Sequence, residues 1–313
     1  MKKRARPIPR KEFLKAASWA AASFFLSGVN LIRSAQEKNN QIFPRPEKTI
    51  PLIELGRTGI RVTPMGFGAS RTMDSSLLRA ALNEGLNFVD TGRSYFGGQN
   101  EVMVGQTVAA ARKDIIIQSR LRVPITETGL ASPEEIKNVL KGMGASLSAS
   151  LKALQTDYLD ILLVHGAESP RVVHHEAIME FFDQQKKKGV IRACGFSSHA
   201  RQVELLQAAN QKLFYDILMV PYNHKGAYVH MNTGRANRWD QPALEAELDR
   251  ARKNGLGLIA MKTCSGGPYS ASPDSTPSYA QALRWILRRG KVHAMAVAMA
   301  NFSQIEENLQ IFN

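Results

Sequence analysis

The sequence predicts an α/β chain closed into a (β/α)8 TIM barrel with an N-terminal β-hairpin, and three observations carry that prediction. Eight short apolar runs recur along the chain with helical patterns between them. The runs are continuous and not alternating, as expected of parallel strands covered on both faces. Polar and ionisable residues repeatedly end them, and in such a barrel the strand ends converge on one pocket. With 313 residues, of which 44% are hydrophobic, the chain can bury a full-sized core.

The elements follow in order. Residues 1–48 read as a signal or anchor with a linker, and residues 49–313 as the barrel. Eight cations, Lys2, Lys3, Arg4, Arg6, Arg10, Lys11, Lys15 and Arg33, face the single acid Glu12 in the first 35 residues, which accounts for half of the net +14. The remaining basic charge is scattered without interleaved aromatics, so the composition does not point to nucleic acid. Ala16 to Ile32 is uncharged, short for a membrane span and suited to the apolar region of a secretory signal; the other readings are a basic tail or an uncleaved anchor.

Beyond the linker, Thr49 to Val62 reads as a hairpin turning through Gly56 to Gly59. The eight strands are expected at Thr63–Ser70, Asn87–Gly92, Ile115–Arg120, Ile161–His165, Ala193–Ser198, Ile217–Asn223, Gly257–Thr263 and Ala294–Met299. One helix can be argued in detail: Ser132 and Glu135 have capping-box spacing, with Pro133 at the first helical position. Ile136, Leu140, Met143, Leu147, Leu151 and Leu154 then form its apolar face. His174-His175 is expected to begin the helix after the fourth strand. The two cysteines, Cys194 and Cys264, lack disulfide or metal spacing and are expected as packed thiols near the barrel mouth. No metal site is expected.

Asp90 and Tyr95 lie five residues apart after one apolar run, and His165 closes another. Singly, such residues can cap a helix, pack in a loop or sit satisfied in a core. Together, DTGRSY at Asp90–Tyr95, LQTDYLDILLVH at Leu154–His165, GVIRACGFSS at Gly189–Ser198, the hairpin and IEENL at Ile305–Leu309 resemble an aldo-keto reductase over about Pro51 to Asn308. The resemblance implies a nicotinamide-dependent oxidoreductase that reduces a small aldehyde or ketone by hydride transfer. It gives Asp90, Tyr95 and His165 catalytic roles. At the fourth catalytic position this chain has Arg120 where the family has lysine, following Ser119 in place of threonine.

Arginine keeps the charge beside Tyr95 but cannot relay a proton. A barrel that binds its cofactor as a sensor or partner-binding protein, without turnover, is therefore the alternative. The implied cofactor is NADP or NAD, held by Gly68, Ser197, Ser198, Met261, Lys262, Asn301, Glu307 and Asn308. Met219 falls where the family has a glutamine, and the usual basic residue for the 2′-phosphate is missing near Asn301. The long loop after the sixth strand, with Tyr222, His224, Tyr228, His230, Arg235, Arg238 and Trp239, is expected to shape the substrate pocket. Pro9 to Lys15 resembles a twin-arginine export signal with Lys11 in place of the second arginine. This implies the twin-arginine machinery as a partner and a periplasmic or envelope location, or a cytoplasmic one if the signal is unused.

Overall fold

A computed structural model describes residues 49–124, 132–230 and 234–313. The Arg10-Lys11 pair and the uncharged segment to Ile32 lie outside the described residues. β1 (Ile53–Glu54) and β2 (Arg61–Val62) form the expected hairpin. Its turn is closed by Leu55 N–H donating to the Ile60 carbonyl at 2.9 Å.

The barrel strands are β3 (Met65–Gly68), β4 (Phe88–Asp90), β5 (Ile116–Leu121), β6 (Leu159–Val164), β7 (Ile191–Ser197) and β8 (Ile217–Pro221). A short ribbon, β9 (Ala227–Val229) with β10 (Ala236–Arg238), precedes the last two, β11 (Gly257–Met261) and β12 (Ala294–Ala298). All eight barrel strands pair in parallel, and β12 on β3 and β8 on β11 close the circle. Each of the eight expected runs overlaps a strand; β5 ends one residue later than expected, and β6 and β7 begin two residues earlier.

Side chains alternate across a strand, so each strand sends every second residue inward. Phe88, Ile116, Ile161, Ala193, Ile217, Ile259 and Ala294 share one buried cluster with Leu55, Ile60 and Val62 of the hairpin. Leu55 lies against Gly257 at the start of β11, so the hairpin seals the N-terminal end of the barrel. Two and four positions further on, the same inward rows reach Asp90, Gln118, Arg120 and Met219 at the opposite end.

The surrounding helices are α1 (Ser75–Asn83), α2 (Gln99–Val108), α3 (Pro133–Leu154), α4 (Pro170–Val173), α5 (Glu176–Lys187), α6 (Gln202–Lys212), α7 (Gln241–Lys253), α8 (Tyr279–Arg289) and α9 (Phe302–Leu309). α3 starts as expected, with the Ser132 hydroxyl accepting from Glu135 N–H at 3.2 Å and Pro133 in the first turn. Its buried face is rotated from the expected one. Val139, Met143, Leu147, Ser150 and Leu154 are buried, while Ile136, Leu140 and Leu151 are half-buried at its edge.

The histidine pair sits between two helices. The chain makes the single turn α4 first, His174 ends it, and His175 caps α5 by accepting from Ala177 N–H at 3.3 Å. Cys264 follows β11 at the mouth, but Cys194 does not reach it. Its neighbours Ala193 and Gly195 take the inward positions, so the Cys194 thiol packs on the outer side of β7, beside Asp216. Burial, with Asp216 next to it, raises the Cys194 pKa far above that of a reactive thiol. Burial also pushes the Cys264 thiol up to about 11.

Candidate active site

The segment from Asp90 to Tyr95 is bolted to the barrel from several sides. Thr91 N–H donates to the Gln118 carbonyl at 2.9 Å and Arg93 N–H to the Arg120 carbonyl at 3.1 Å, so β4 is continued beside β5 past its formal end. The Thr91 hydroxyl bonds the Asn100 side chain at 2.7 Å, and Asn100 donates back to the carbonyls of Ala69 and Thr72, both at 2.9 Å. Arg93 meets Glu101 of α2 at 2.7 Å, and Glu101 in turn accepts from the Ser119 hydroxyl at 2.6 Å. Ser119 thus faces outward and holds the helix, while its neighbour Arg120 faces inward.

Gly92 leaves room for that arrangement. A Cβ there would come within 2.8 Å of Arg120 Cγ. The chain then turns sharply through Phe96 at φ 49°, Gly97 at φ 61° and Gly98 at φ 92°, a left-handed stretch that glycine accepts readily. A Cβ at Gly98 would overlap the Arg93 guanidinium.

Arg120 is 1% exposed and donates to Asp90 Oδ1. Gln118 Nε2 donates to the same oxygen at 2.6 Å, and both side chains reach Met219 Sδ at 3.4 Å. Asp90 therefore caps no helix; it is the counter-ion of a buried arginine. Burial alone would lower the Arg120 pKa, but Asp90 and Tyr95 outweigh it and the guanidinium stays charged. Its carbon lies 5.6 Å from the centre of the Tyr95 ring. For Tyr95 the burial effect exceeds the pull of Arg120, so the phenol is held above its ordinary pKa of 10, opposite to the lowering expected from a neighbouring cation.

His165 stands edge-on to Tyr95 at 5.9 Å between ring centres, with Nδ1 3.2 Å from the Ser94 hydroxyl. Burial, reinforced by Arg120, His199, Arg122 and Lys262, lowers its pKa to about 2, so it is a neutral imidazole. His199 is held down to about 4 by burial, Lys262 and Arg120.

Two cavities meet here. The first, about 380 Å³, is lined by Gly68, Asp90, Tyr95, Arg120, Met219 and Met261 at its base. Lys262, Ser265, Ala300, Gln304, Glu307 and Asn308 continue it towards α9. The second, about 700 Å³, holds His165, Ser94, Phe96, Arg122, Glu168 and His230. Tyr95, Ser70, Arg71, His199 and Lys262 border both. The first cavity has the donor set of a nicotinamide dinucleotide site. Arg71, Lys262 and the Ser265 hydroxyl suit phosphates, and Met219, Met261, Ala296 and Ala298 offer apolar faces to a flat ring.

Not every residue from the sequence reading comes to these walls. Ser197 and Ser198 are fully buried; the Ser197 hydroxyl donates to the Val164 carbonyl at 3.2 Å, and the Ser198 hydroxyl donates to the Ala200 carbonyl. Asn301 caps α9 by accepting from Gln304 N–H at 2.9 Å. Glu307 accepts from Tyr279 N–H at 2.8 Å while it borders the cavity.

Of the long loop's aromatics, Tyr222 points to the outside of the barrel, bonding Glu245 at 2.8 Å and packing on Trp285. Tyr228 lies under Lys262, 5.3 Å from its ammonium. From the described part of that loop it is His230 that lines the second cavity. Sequence reasoning missed Gln118, Arg71, Arg122 and His199. Arg71, Arg122 and His199 lie just past the end of a barrel strand, which is the signal that could have found them; Gln118 lies inside β5, two residues before Arg120 on the same face. No group of three or more His, Cys, Asp or Glu among the described residues is placed to share a metal ion.

Comparison with known proteins accords with this geometry. Residues 65–281 match the model of the aldo/keto reductase family. The uncharacterized oxidoreductase YrpG of Bacillus subtilis is 26% identical over 234 residues, which cover 68% of this chain and 66% of that protein. Among solved structures, aldo-keto reductase AKR11C1 from Bacillus halodurans in its holo form superposes with a TM-score of 0.65 at 22% identity, covering 84% of this chain and 91% of the other. An aldo/keto reductase from Klebsiella pneumoniae in complex with NADP and acetate gives 0.61 at 18% identity, covering 83% and 89%. At those identities the structural likeness speaks for the fold.

Proposed function

This chain belongs to the aldo/keto reductase family, and from that premise we propose that it reduces an aldehyde or ketone to an alcohol with NADPH or NADH. The observation that carries the reading is Tyr95, a protonated phenol on the wall that the two cavities share. A nicotinamide dinucleotide held in the first cavity, with Arg71, Lys262 and Ser265 at its phosphates, would supply the hydride for the carbonyl carbon. Tyr95 gives its proton to the carbonyl oxygen and is reprotonated from solvent. His165 and His199, both neutral, stay available as hydrogen-bond partners that orient the oxygen. Arg120 stabilises negative charge on the phenol oxygen as the proton leaves, and Asp90 with Gln118 keeps the guanidinium in place.

The test is oxidation of NADPH or NADH by the purified protein with a panel of aldehydes and ketones, run beside Tyr95→Phe. The expected result is turnover in the native protein and a loss of roughly a hundredfold or more in the variant, with its cofactor affinity retained. Cofactor binding without turnover would favour the binding-only barrel. No binding of any of the four oxidised and reduced forms below the millimolar range would remove both readings.

For residues 1–48 the proposal is an export signal of twin-arginine type and a periplasmic or envelope location. It is supported by the Arg10-Lys11 pair, Phe13-Leu14-Lys15 and the uncharged stretch to Ile32. Fractionation of cells expressing the full chain, with and without Gln at positions 10 and 11, tests it. Equal cytoplasmic retention of both would make this segment a tail.

A further inference from the structure

Resting on the reductase reading, we infer that the substrate of this protein is a short aldehyde or ketone carrying an anionic group, a carboxylate or a phosphate ester. The second cavity gathers three cations from three separate strand ends: Arg71 beyond β3, Arg122 beyond β5 and Lys262 beyond β11. Glu168 is the one carboxylate among its described lining residues. None of the three cations is ion-paired among the described residues; Asp90 holds Arg120, Glu101 holds Arg93 and Glu204 holds Arg201, which leaves Glu168 as the acid that faces them.

The positive field is felt by the surrounding groups. Arg122 and Lys262 both act on His165 and on His199, adding to burial in keeping these rings neutral. Lys262 is itself pulled below its ordinary value, first by burial and then by Arg71 and Arg120. Three cations crowded on one cavity with a single carboxylate, Glu168, to set against them repel one another, and an anion bound between them relieves that repulsion. His199 and His230 line the same cavity, and their buried Nδ1 atoms have no hydrogen-bond partner among the described residues.

Arg71 and Lys262 also border the first cavity, where the phosphates of a dinucleotide could satisfy them. Arg122 borders the second alone, so it separates a substrate anion from a cofactor anion. A guanidinium there can take a carboxylate or phosphate with two parallel hydrogen bonds.

The experiment compares matched probes with the full enzyme: succinic semialdehyde against butanal, and glyceraldehyde 3-phosphate against glyceraldehyde. We expect kcat/KM to favour the charged member of at least one pair by roughly tenfold or more, and that advantage to shrink as salt is raised. Arg122→Gln should reduce the charged-to-neutral ratio by about tenfold, mainly through KM, and Arg122→Lys should keep most of it. Which pair responds distinguishes carboxylate from phosphate. Turnover of butanal and glyceraldehyde with no charge advantage, or a ratio that Arg122→Gln does not move, overturns this inference and leaves the reductase standing. No turnover of any of the four removes both.

Discussion

The two ends of the barrel interior use the same inward rows of side chains on opposite terms. At the N-terminal end, Leu55, Ile60 and Val62 of the hairpin close over Phe88, Ile116 and Ile217, with no charge among them. At the C-terminal end, two and four residues further along the strands, Asp90, Gln118 and Arg120 are just as deeply buried. Apolar burial is non-directional and tolerates some repacking. A buried ion pair holds only while each partner remains. The lower end is therefore expected to set stability, and the upper end to spend stability on holding one cation below Tyr95.

Three measurements break or sharpen that contrast, in order of expected effect. Arg120→Met leaves Asp90 buried with Gln118 alone, so we expect a loss of roughly 3–5 kcal/mol in denaturant unfolding together with a steep loss of carbonyl reduction. Arg120→Lys should restore most of both, because a cation again faces Asp90. Equal stability of Arg120→Met and the native protein would show that the pair contributes nothing to the fold.

At the other end, Leu55→Ala should cost about 2–5 kcal/mol through the cavity it opens under the barrel. Here kcat/KM of the folded fraction should be unchanged, since Leu55 touches neither cavity. A parallel loss of kcat/KM would mean that the plug and the site are coupled through the barrel.

The smallest effect is on pH. His165, His199 and, at the lower end, His293 have folded-state pKa values depressed to about 2, 4 and 4 from 6.5, each first of all by burial. Burial, with Arg252 adding to it, keeps His293 neutral, and its Nδ1 accepts from Leu258 N–H at 3.0 Å. The unfolded chain binds these protons more readily, so stability is complete above 6.5 and falls progressively as the pH drops towards 4 and below. Denaturant midpoints measured from pH 8 to pH 4 check this. Carbonyl reduction, which needs the Tyr95 proton, should instead hold to about pH 10 and decline above it.

By itself the sequence determined the eight strands, the hairpin, the capped start of α3 and the strand ends that carry Asp90, Arg120 and His165. Those features are local: continuous apolar runs, turn glycines, a Ser-Pro cap and polar residues that repeatedly end the runs. Which residue of each run looks inward was decided only by the closed barrel. A strand that is apolar on both faces has no alternation from which to read its orientation, so Gln118 and Arg120 turn into the site while Ser119 turns out to Glu101. The same indeterminacy hid the outward thiol of Cys194. The tertiary structure also assembled Arg71, Arg122, His199 and Lys262 from distant strand ends around shared cavities, because the closure of β12 on β3 and β11 on β8 brings together residues nearly two hundred positions apart. The balance at Tyr95 was likewise a matter of enclosure: the sequence placed a cation beside the phenol, and burial outweighed it.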